Sequence, residues 1–491
     1  MKSTRLRAAV IFCVLLYTFY AQLSRLLTTT TSNPLEPALV KLPPNCDFNR
    51  SHLQTYGLSS SIQFARRYIE VSPEEGVERA PLIEAAERLL PDFQTVDLGA
   101  SGGDGEETKL IHCDRKPLHL KVPPIPPTPD VSSVLFGAST TASRLRDSIP
   151  QFHHWMRGTG ASLLVVVPPD PSIEELQQEM HNLGLDVDIQ SSDDEFVANY
   201  FSLVERMYSV TRKRPRIKWV SFIDDDTFFP SMTNLLNRLS QYNPSEPWYI
   251  GSLSEDMHQV RFHGVIGFGG GGLFLSIPLL EQVHVAYPLC KEYQIQVWGG
   301  DAQLFNCISN YTTTKMTIEK DLHQMDFYGN PRGIYEAGRP MLSLHHWKSW
   351  HHLDVLRAVS IGKICGDACI LQRWKFLGQD SMPAVVLTNG FSIIQYLNEV
   401  PDLMRTEKTF EIQDSEVKSN RDQRDILNDF AHSVGPLRRY LEEGKDKLSY
   451  DLADLVRGEG GEFKQVYIRK GLDGADDGVV ELIWTNKTIV A

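Results

Sequence analysis

The chain has no surplus of positive charge. Its 49 lysines and arginines face 62 aspartates and glutamates, a formal net charge of −13, which excludes the basic footprint that a nucleic-acid binder needs. The run Arg212-Lys213-Arg214-Pro215-Arg216 reads as a solvated loop before a strand. Internal repeats are absent, and cysteine is scarce, with seven residues in 491. Disorder of the whole chain is excluded too, because 42% hydrophobic and 23% charged residues are ordinary globular values. The length leaves room for about three domains and ample material for a core.

What is present begins with an uncharged run, Ala8–Leu23, after Lys2, Arg5 and Arg7. At 1.5 Å per residue it spans about 24 Å, and Leu26-Leu27 extends it, with Arg25 able to snorkel. Basic residues ahead of the run place the N-terminus in the cytosol. The expectation is a signal-anchor over 8–27 behind a cytosolic tail (1–7), a single-pass type II Golgi membrane protein whose bulk is lumenal. The rival is a cleaved signal peptide, whose apolar region is usually shorter. Apart from Cys13, the cysteines are Cys46, Cys113, Cys290, Cys307, Cys365 and Cys369, which allow three disulfides in 15 ways. Cys290/Cys307 and Cys365/Cys369 are candidate local pairs, with Cys46/Cys113 left over. Zinc is the other reading of Cys365-x3-Cys369, although no second cysteine pair follows. The sequons at Asn49, Asn310 and Asn486 fit a secretory chain.

Thr28–Pro44 reads as a Thr/Pro-rich stem, Ser59–Asp92 has helical patches such as IEAAERLL, and Val122–Pro129 (VPPIPPTP) is a stiff hinge. The stem and pre-domain region therefore covers 28–130. Beyond it, strands at Val131–Ser139, Ser162–Val167 and Trp219–Ile223 alternate with helices at Thr140–Trp155, Ile173–Leu183 and Val197–Val210. This alternation predicts an α/β domain with a mostly parallel sheet over 131–355. A small α+β accessory module follows over 356–491.

Asp224-Asp225-Asp226 directly follows the apolar strand WVSFI. Ligands of open α/β sheets bind beyond the carboxyl ends of the strands, and three adjacent carboxylates repel unless a cation offsets them. An acidic turn capping a helix is the plainer reading. VSFIDDDTFF resembles the metal and nucleotide-sugar motif of fringe-like β-1,3-glycosyltransferases (glycosyltransferase family 31). Leu135–Trp155 resembles their first strand and helix, Gly264–Ser276 their glycine-rich stretch, and Trp298–Asp301 their acidic motif. The four blocks keep the family's order across 131–350, nearest to a fungal or plant fringe-related branch.

That resemblance implies a GT-A-like nucleotide-sugar domain, a UDP-sugar donor, and a glycan or glycoprotein acceptor. It implies Mn²⁺ or Mg²⁺ held by Asp226 and a late histidine, with Asp224 and Asp225 orienting ribose, metal waters or sugar. Thr140 and Arg144 would contact the nucleotide, and Gly270 and Gly271 would line the sugar and acceptor site. Asp301 would deprotonate the acceptor, although the family more often has two adjacent acids where this chain has Gly300-Asp301.

Read without the family, Gly267–Gly272 imitates a dinucleotide fingerprint, but Pro278 breaks the required helix, and Asp301 is an N-cap. His345, His346, His351 and His352 within LSLHHWKSWHH could ligate zinc or pack among Trp347 and Trp350. His345 is the expected metal ligand, with His346 the alternative; one imidazole among oxygens suits Mn²⁺. Tyr328–Pro340 reads as a mobile loop over the acceptor side or an ordinary surface loop. A carbohydrate-binding protein without catalysis and a metal-dependent hydrolase are the competing functions.

Overall fold

The structure, a computed structural model, describes residues 39–40, 47–99, 108–109, 116–292, 299–378, 382–411, 431–472 and 474–486. The apolar run 8–27, Cys46, Cys113, Trp298 and most of the stem lie outside the described residues. Among the described residues no helix is long and apolar enough to cross a membrane.

The mixed α/β fold is built on strands whose composition commits them to burial. Val134–Ser139 (β1), Ser162–Val167 (β2) and Trp219–Ile223 (β4) are buried at every position, whereas Asp186–Ser191 (β3) largely alternates as an edge strand does. With Tyr249–Gly251 (β5), Leu273–Ser276 (β6) and Met316–Ile318 (β7) they form a seven-stranded sheet in the order β3-β2-β1-β4-β6-β5-β7. The pairs β3/β2, β2/β1, β1/β4 and β5/β7 are parallel, and β6 runs antiparallel to both β4 and β5. The sheet is therefore mostly parallel, as the alternation of strands and helices predicts.

The stretch after β1 forms two helices rather than one, Ala142–Asp147 (α1) and Ile149–Met156 (α2), because Pro150 restarts the helix after Ser148. Ile173–Asn182 (α3), Phe196–Lys213 (α4), Met232–Leu239 (α5), Met257–His263 (α6), Ile277–Glu292 (α7) and Gly300–Tyr311 (α8) complete this layer. One sheet face packs Phe136 against Leu145, Phe152, Trp155 and Phe229; the other packs Phe222 against Leu203, Met207 and Leu280. Cys290 and Cys307 form a disulfide that ties α7 to α8, and Cys365 pairs with Cys369, so both candidate local pairs form.

A second, eleven-stranded sheet draws on both ends of the chain. Its path runs 83–88, 373–377, 384–388, 392–396, 447–458, 463–469, 477–486, 61–73 and 94–97, with 118–122 also on 61–73 and 39–40 on 447–458. Asp477–Asn486 pairs in parallel with Ile62–Val71 over ten successive positions. The pre-domain region and the C-terminal segment, expected as separate pieces, thus share one layer, and from Leu39 onward the chain is one compact unit.

Two further expectations are corrected. IEAAER is not helical: Ile83–Arg88 is an edge strand pairing with Trp374 and Lys375, and the ladder outweighs a modest helix preference. Tyr328–Pro340 is exposed only over 328–330 and is otherwise not a surface loop. Tyr328–Gly329 pairs with Phe410–Glu411, Gly333–Gly338 is buried, and Tyr335 stacks on Phe391.

The two chain ends are joined by charge as well as by the ladder. Arg66 donates from Nε to Glu481 Oε2 at 2.8 Å, its Nη2 lies 2.6 Å from the same oxygen, and Lys464 Nζ lies 3.2 Å from Oε1. Burial pushes the Glu481 carboxyl up, but Arg66 and Lys464 overcome it and hold the group at about 2. Removing one partner from such a buried pair costs about 3–5 kcal/mol, so Arg66→Ala should lose that much in denaturant unfolding at neutral pH. Because the folded value lies below the ordinary 4.5, Glu481's contribution is present above 4.5 and disappears as pH falls through about 2. A deficit at neutral pH below about 1 kcal/mol, the level of an exposed ion pair, would contradict this account.

Candidate active site

The register of β1 on β4 puts Ala138 opposite Ile223. Thr140 and the three aspartates therefore emerge side by side at the same carboxyl edge. The turn that carries them is fixed by Thr227: its Oγ1 accepts from Asp224 N at 2.9 Å and donates to Gly270 O at 2.8 Å. Phe228 and Leu344 then exchange backbone hydrogen bonds of 2.8 Å in both directions. This brings His345, remote in sequence, to the triplet.

The three carboxylates have different surroundings. Asp225 is buried and faces β1 and α1, where Arg144 donates to its two oxygens from Nε and Nη2, each at 2.5 Å, and Thr140 Oγ1 adds a further bond. Gln151 Nε2 bonds the Asp225 carbonyl. Asp226 turns the other way: Oδ1 lies 2.9 Å from His345 Nε2, Oδ2 accepts from Ser349 Oγ at 2.8 Å, and the carbonyl accepts from Trp347 Nε1 at 2.7 Å. Asp224 is the most open, its side chain 31% exposed, with Oδ2 3.3 Å from His345 Nε2.

The site's charge balance follows from these partners. Burial would lower the His345 pKa, but the Asp226 and Asp224 carboxylates override that and raise it to about 10. Burial likewise opposes ionisation of Asp226, yet the His345 charge and the Ser349 hydroxyl hold its carboxyl far below the usual aspartate range. His346 is pulled down to about 3 by burial and by the neighbouring His345 charge.

Asp226, His345 and His346 each offer a donor atom within 4.8 Å of the others. His345 Nδ1 lies 3.2 Å from the Gln324 carbonyl oxygen, an acceptor only, so Nδ1 keeps its proton and Nε2 is the nitrogen that would give up its own to ligate. Metal-binding histidines are held this way. Adjacent octahedral donors at 2.0–2.1 Å from a small cation stand about 2.9 Å apart, which the Asp226–His345 spacing matches. The donor set fits a divalent cation. His346 has a φ of 51° and lies with its ring 3.8 Å from that of His345 and 4.2 Å from that of Trp350. His351 bonds the Met325 carbonyl at 2.9 Å and packs on Phe327.

The glycine-rich turn lies over this centre. Gly270 has no room for a side chain, since a Cβ there would meet the His345 ring at 2.2 Å. Gly271 donates to Gln324 Oε1 at 2.8 Å, and its carbonyl accepts from Ser343 Oγ. Gly269 N donates to Asp301 Oδ2 at 3.0 Å, and Asp301 Oδ1 accepts from Ala302 N at 2.8 Å. The N-cap position of α8 is Gly299, so Asp301 is not the cap. Burial raises the Asp301 pKa, and Asp224 raises it further against the Gly269 and Ala302 bonds.

Thr140, Arg144 and Asp225 thus form one ion-paired cluster; Asp224, Asp226 and His345 form a second; Gly270 packs on His345; and Asp301 is joined to that turn through Gly269. Both oxygens of Asp225 accept hydrogen bonds from the Arg144 and Thr140 side chains. Sequence reasoning did not find Thr227, Gln324, Ser349 or Tyr200, and it offered Trp347 only as packing for the histidines. Thr227, directly after the triplet, was discoverable there, whereas nothing local marks Gln324 or Tyr200. The Tyr200 hydroxyl is buried without a hydrogen-bond partner among the described residues. Missing Cβ atoms at Gly269 and Gly300 make space for that side chain.

A family model described as a protein of unknown function, DUF604, matches residues 258–421. No curated protein matches the chain. Among solved structures, the glycosyltransferase GlyE of Streptococcus pneumoniae TIGR4 is similar over 38% of this chain and 46% of its own, at 13% identity and a TM-score of 0.26. The chain therefore spans less than half of that structure's length. A glycosyltransferase involved in glycosylation of the major capsid of PBCV-1 matches 43% of this chain and 91% of its own (13% identity, TM-score 0.27). Mouse xyloside xylosyltransferase 1 matches 38% and 84% (12% identity, TM-score 0.25).

Gly270→Ala tests the packing beneath the glycine turn. The added methyl forces His345 off its position, and a divalent cation held there, with Mn²⁺ as the calorimetric probe, should bind about 10–100-fold more weakly, the usual cost of disturbing a ligand's support. Unchanged Mn²⁺ binding would separate His345 from the cation.

Proposed function

We propose that the protein is a metal-dependent inverting glycosyltransferase that moves a sugar from a UDP-sugar to a glycan or glycoprotein hydroxyl. The observation that carries this reading is the convergence of Asp226 and His345, 2.9 Å apart, beyond the carboxyl end of β4, with a separate carboxylate of raised pKa joined through Gly269. The VSFIDDDTFF resemblance supports UDP as the nucleotide.

Asp226 and His345 would hold Mn²⁺, or Mg²⁺, and Asp224 would face its waters or the sugar. A divalent ion bound there supplies Lewis-acid stabilisation of the departing diphosphate. Arg144, whose side chain is 63% exposed while paired to Asp225, offers positive charge at the strand-to-helix junction where the nucleotide would dock. Asp301 takes the proton as the acceptor oxygen bonds to the anomeric carbon and the bond to the diphosphate breaks. Its burial suits the role, because a carboxylate of raised pKa is a stronger base. The same reading makes the protein a type II Golgi membrane enzyme anchored by residues 8–27, with its active site in the lumen.

Asp226→Asn should retain the circular dichroism of the parent and lose Mn²⁺-dependent UDP binding in calorimetry; Mn²⁺-dependent binding of parental strength in this variant would end the metal assignment. Asp301→Asn should bind UDP and Mn²⁺ as before while turnover falls about 10²–10⁴-fold. In the parent, Asp301 must be ionised to act, so the acid limb of kcat/KM should lie above the ordinary aspartate value of 3.8. Loss of UDP binding in Asp301→Asn would place the residue in the donor site.

A further inference from the structure

The three sequons, Asn49-Arg50-Ser51, Asn310-Tyr311-Thr312 and Asn486-Lys487-Thr488, look equivalent as text, but the fold treats their asparagines differently. Asn310 is exposed in the last turn of α8, beside Tyr311 at 39% exposure. Asn49 is exposed as well and caps the helix Arg50–Gln54, its Oδ1 accepting from His52 N at 2.9 Å. That bond uses the oxygen and leaves the amide nitrogen, the atom that a glycan would occupy, outside the cap. Asn486 is 1% exposed; its Nδ2 donates to Ile364 O at 2.8 Å, and its backbone pairs with Val71.

The Cys290–Cys307 and Cys365–Cys369 disulfides belong to an oxidising compartment, the one in which exposed sequons are modified. We propose that Asn49 and Asn310 carry N-linked glycans and that Asn486 is bare in the folded protein. In the transfer, the asparagine Nδ2 bonds to the anomeric carbon of a lipid-diphosphate-linked oligosaccharide. The bond from that carbon to the diphosphate oxygen breaks, the lipid diphosphate leaves, and one amide proton is released; no oxidant or reductant is needed. A glycan on Asn486 would replace one of the two Nδ2 protons at a 1% exposed position and place a polar oligosaccharide in the parallel seam between 61–73 and 477–486, so chains bearing it do not close that seam.

Asn310 follows Asp301 by nine residues on the same helix, about 14 Å along its axis. The glycan therefore leaves from the end of α8 opposite the candidate base, and the site stays open.

The inference rests on the secretory placement proposed above. The full chain, expressed in eukaryotic secretory cells, is tested by protease protection in microsomes and by peptide mapping after glycosidase release in heavy-oxygen water. Heavy-oxygen aspartate is expected at positions 49 and 310, with unlabelled asparagine at 486. Ser51→Ala and Asn310→Gln should each remove one electrophoretic step, and Thr488→Ala none. A protected chain bare at position 49 or 310, or a folded, detergent-extracted fraction glycosylated at 486, overturns the inference while leaving the placement intact. A chain that is not protected overturns the placement and the inference with it.

Discussion

Three neighbouring carboxylates at the end of one buried strand are tolerated because the turn sends them to different partners. Asp225 is neutralised toward the first strand and helix by Arg144 and Thr140. Asp226 is neutralised toward the opposite side by His345. Asp224 shares that imidazole and keeps contact with solvent. Without this partition, like charges crowded at a partly buried strand end would repel one another and weaken the sheet edge. Thr227 matters because it closes the turn through both the Asp224 amide and the Gly270 carbonyl.

The same partition organises the space around the strand end. Arg144 and Asp225 make one positively edged wall, His345 and Asp226 make a centre suited to a cation, and the glycine turn bridges from there to Asp301. Each bridge is a backbone contact that a side chain would block. Gly270 must be bare to let His345 approach, and Gly269 must be bare to leave space for Tyr200. The glycines are used for proximity. Only Gly272, with φ near +93°, also requires the left-handed backbone.

Local chemistry made a good part of this legible. Trp219–Ile223 is strand in both readings because five consecutive buried positions leave no amphipathic alternative, and the acidic triplet, the glycine run and the paired histidines stood out as composition. What sequence could not supply was partnership. The resemblance marks Arg144 as a nucleotide contact at a strand-to-helix junction, but its grip on Asp225 depends on the β1/β4 register. Gln324 acts through its main-chain carbonyl and side-chain amide, neither of which has a spacing to detect. IEAAER was misread because its alternation is short and its helix propensity real, and the edge of a distant sheet decides the outcome.

The parallel seam between the first long strand and the last one has a consequence for biosynthesis. Some four hundred residues separate Ile62 from its register partner Asp477, so loop closure, slow for contacts so distant in sequence, must await synthesis of 477–486. The seven-stranded layer has all its strands by residue 318 and can assemble on the ribosome. The larger sheet must wait for 477–486, and until that strand arrives, the edge at 61–73 stays open to chaperones and to other nascent chains.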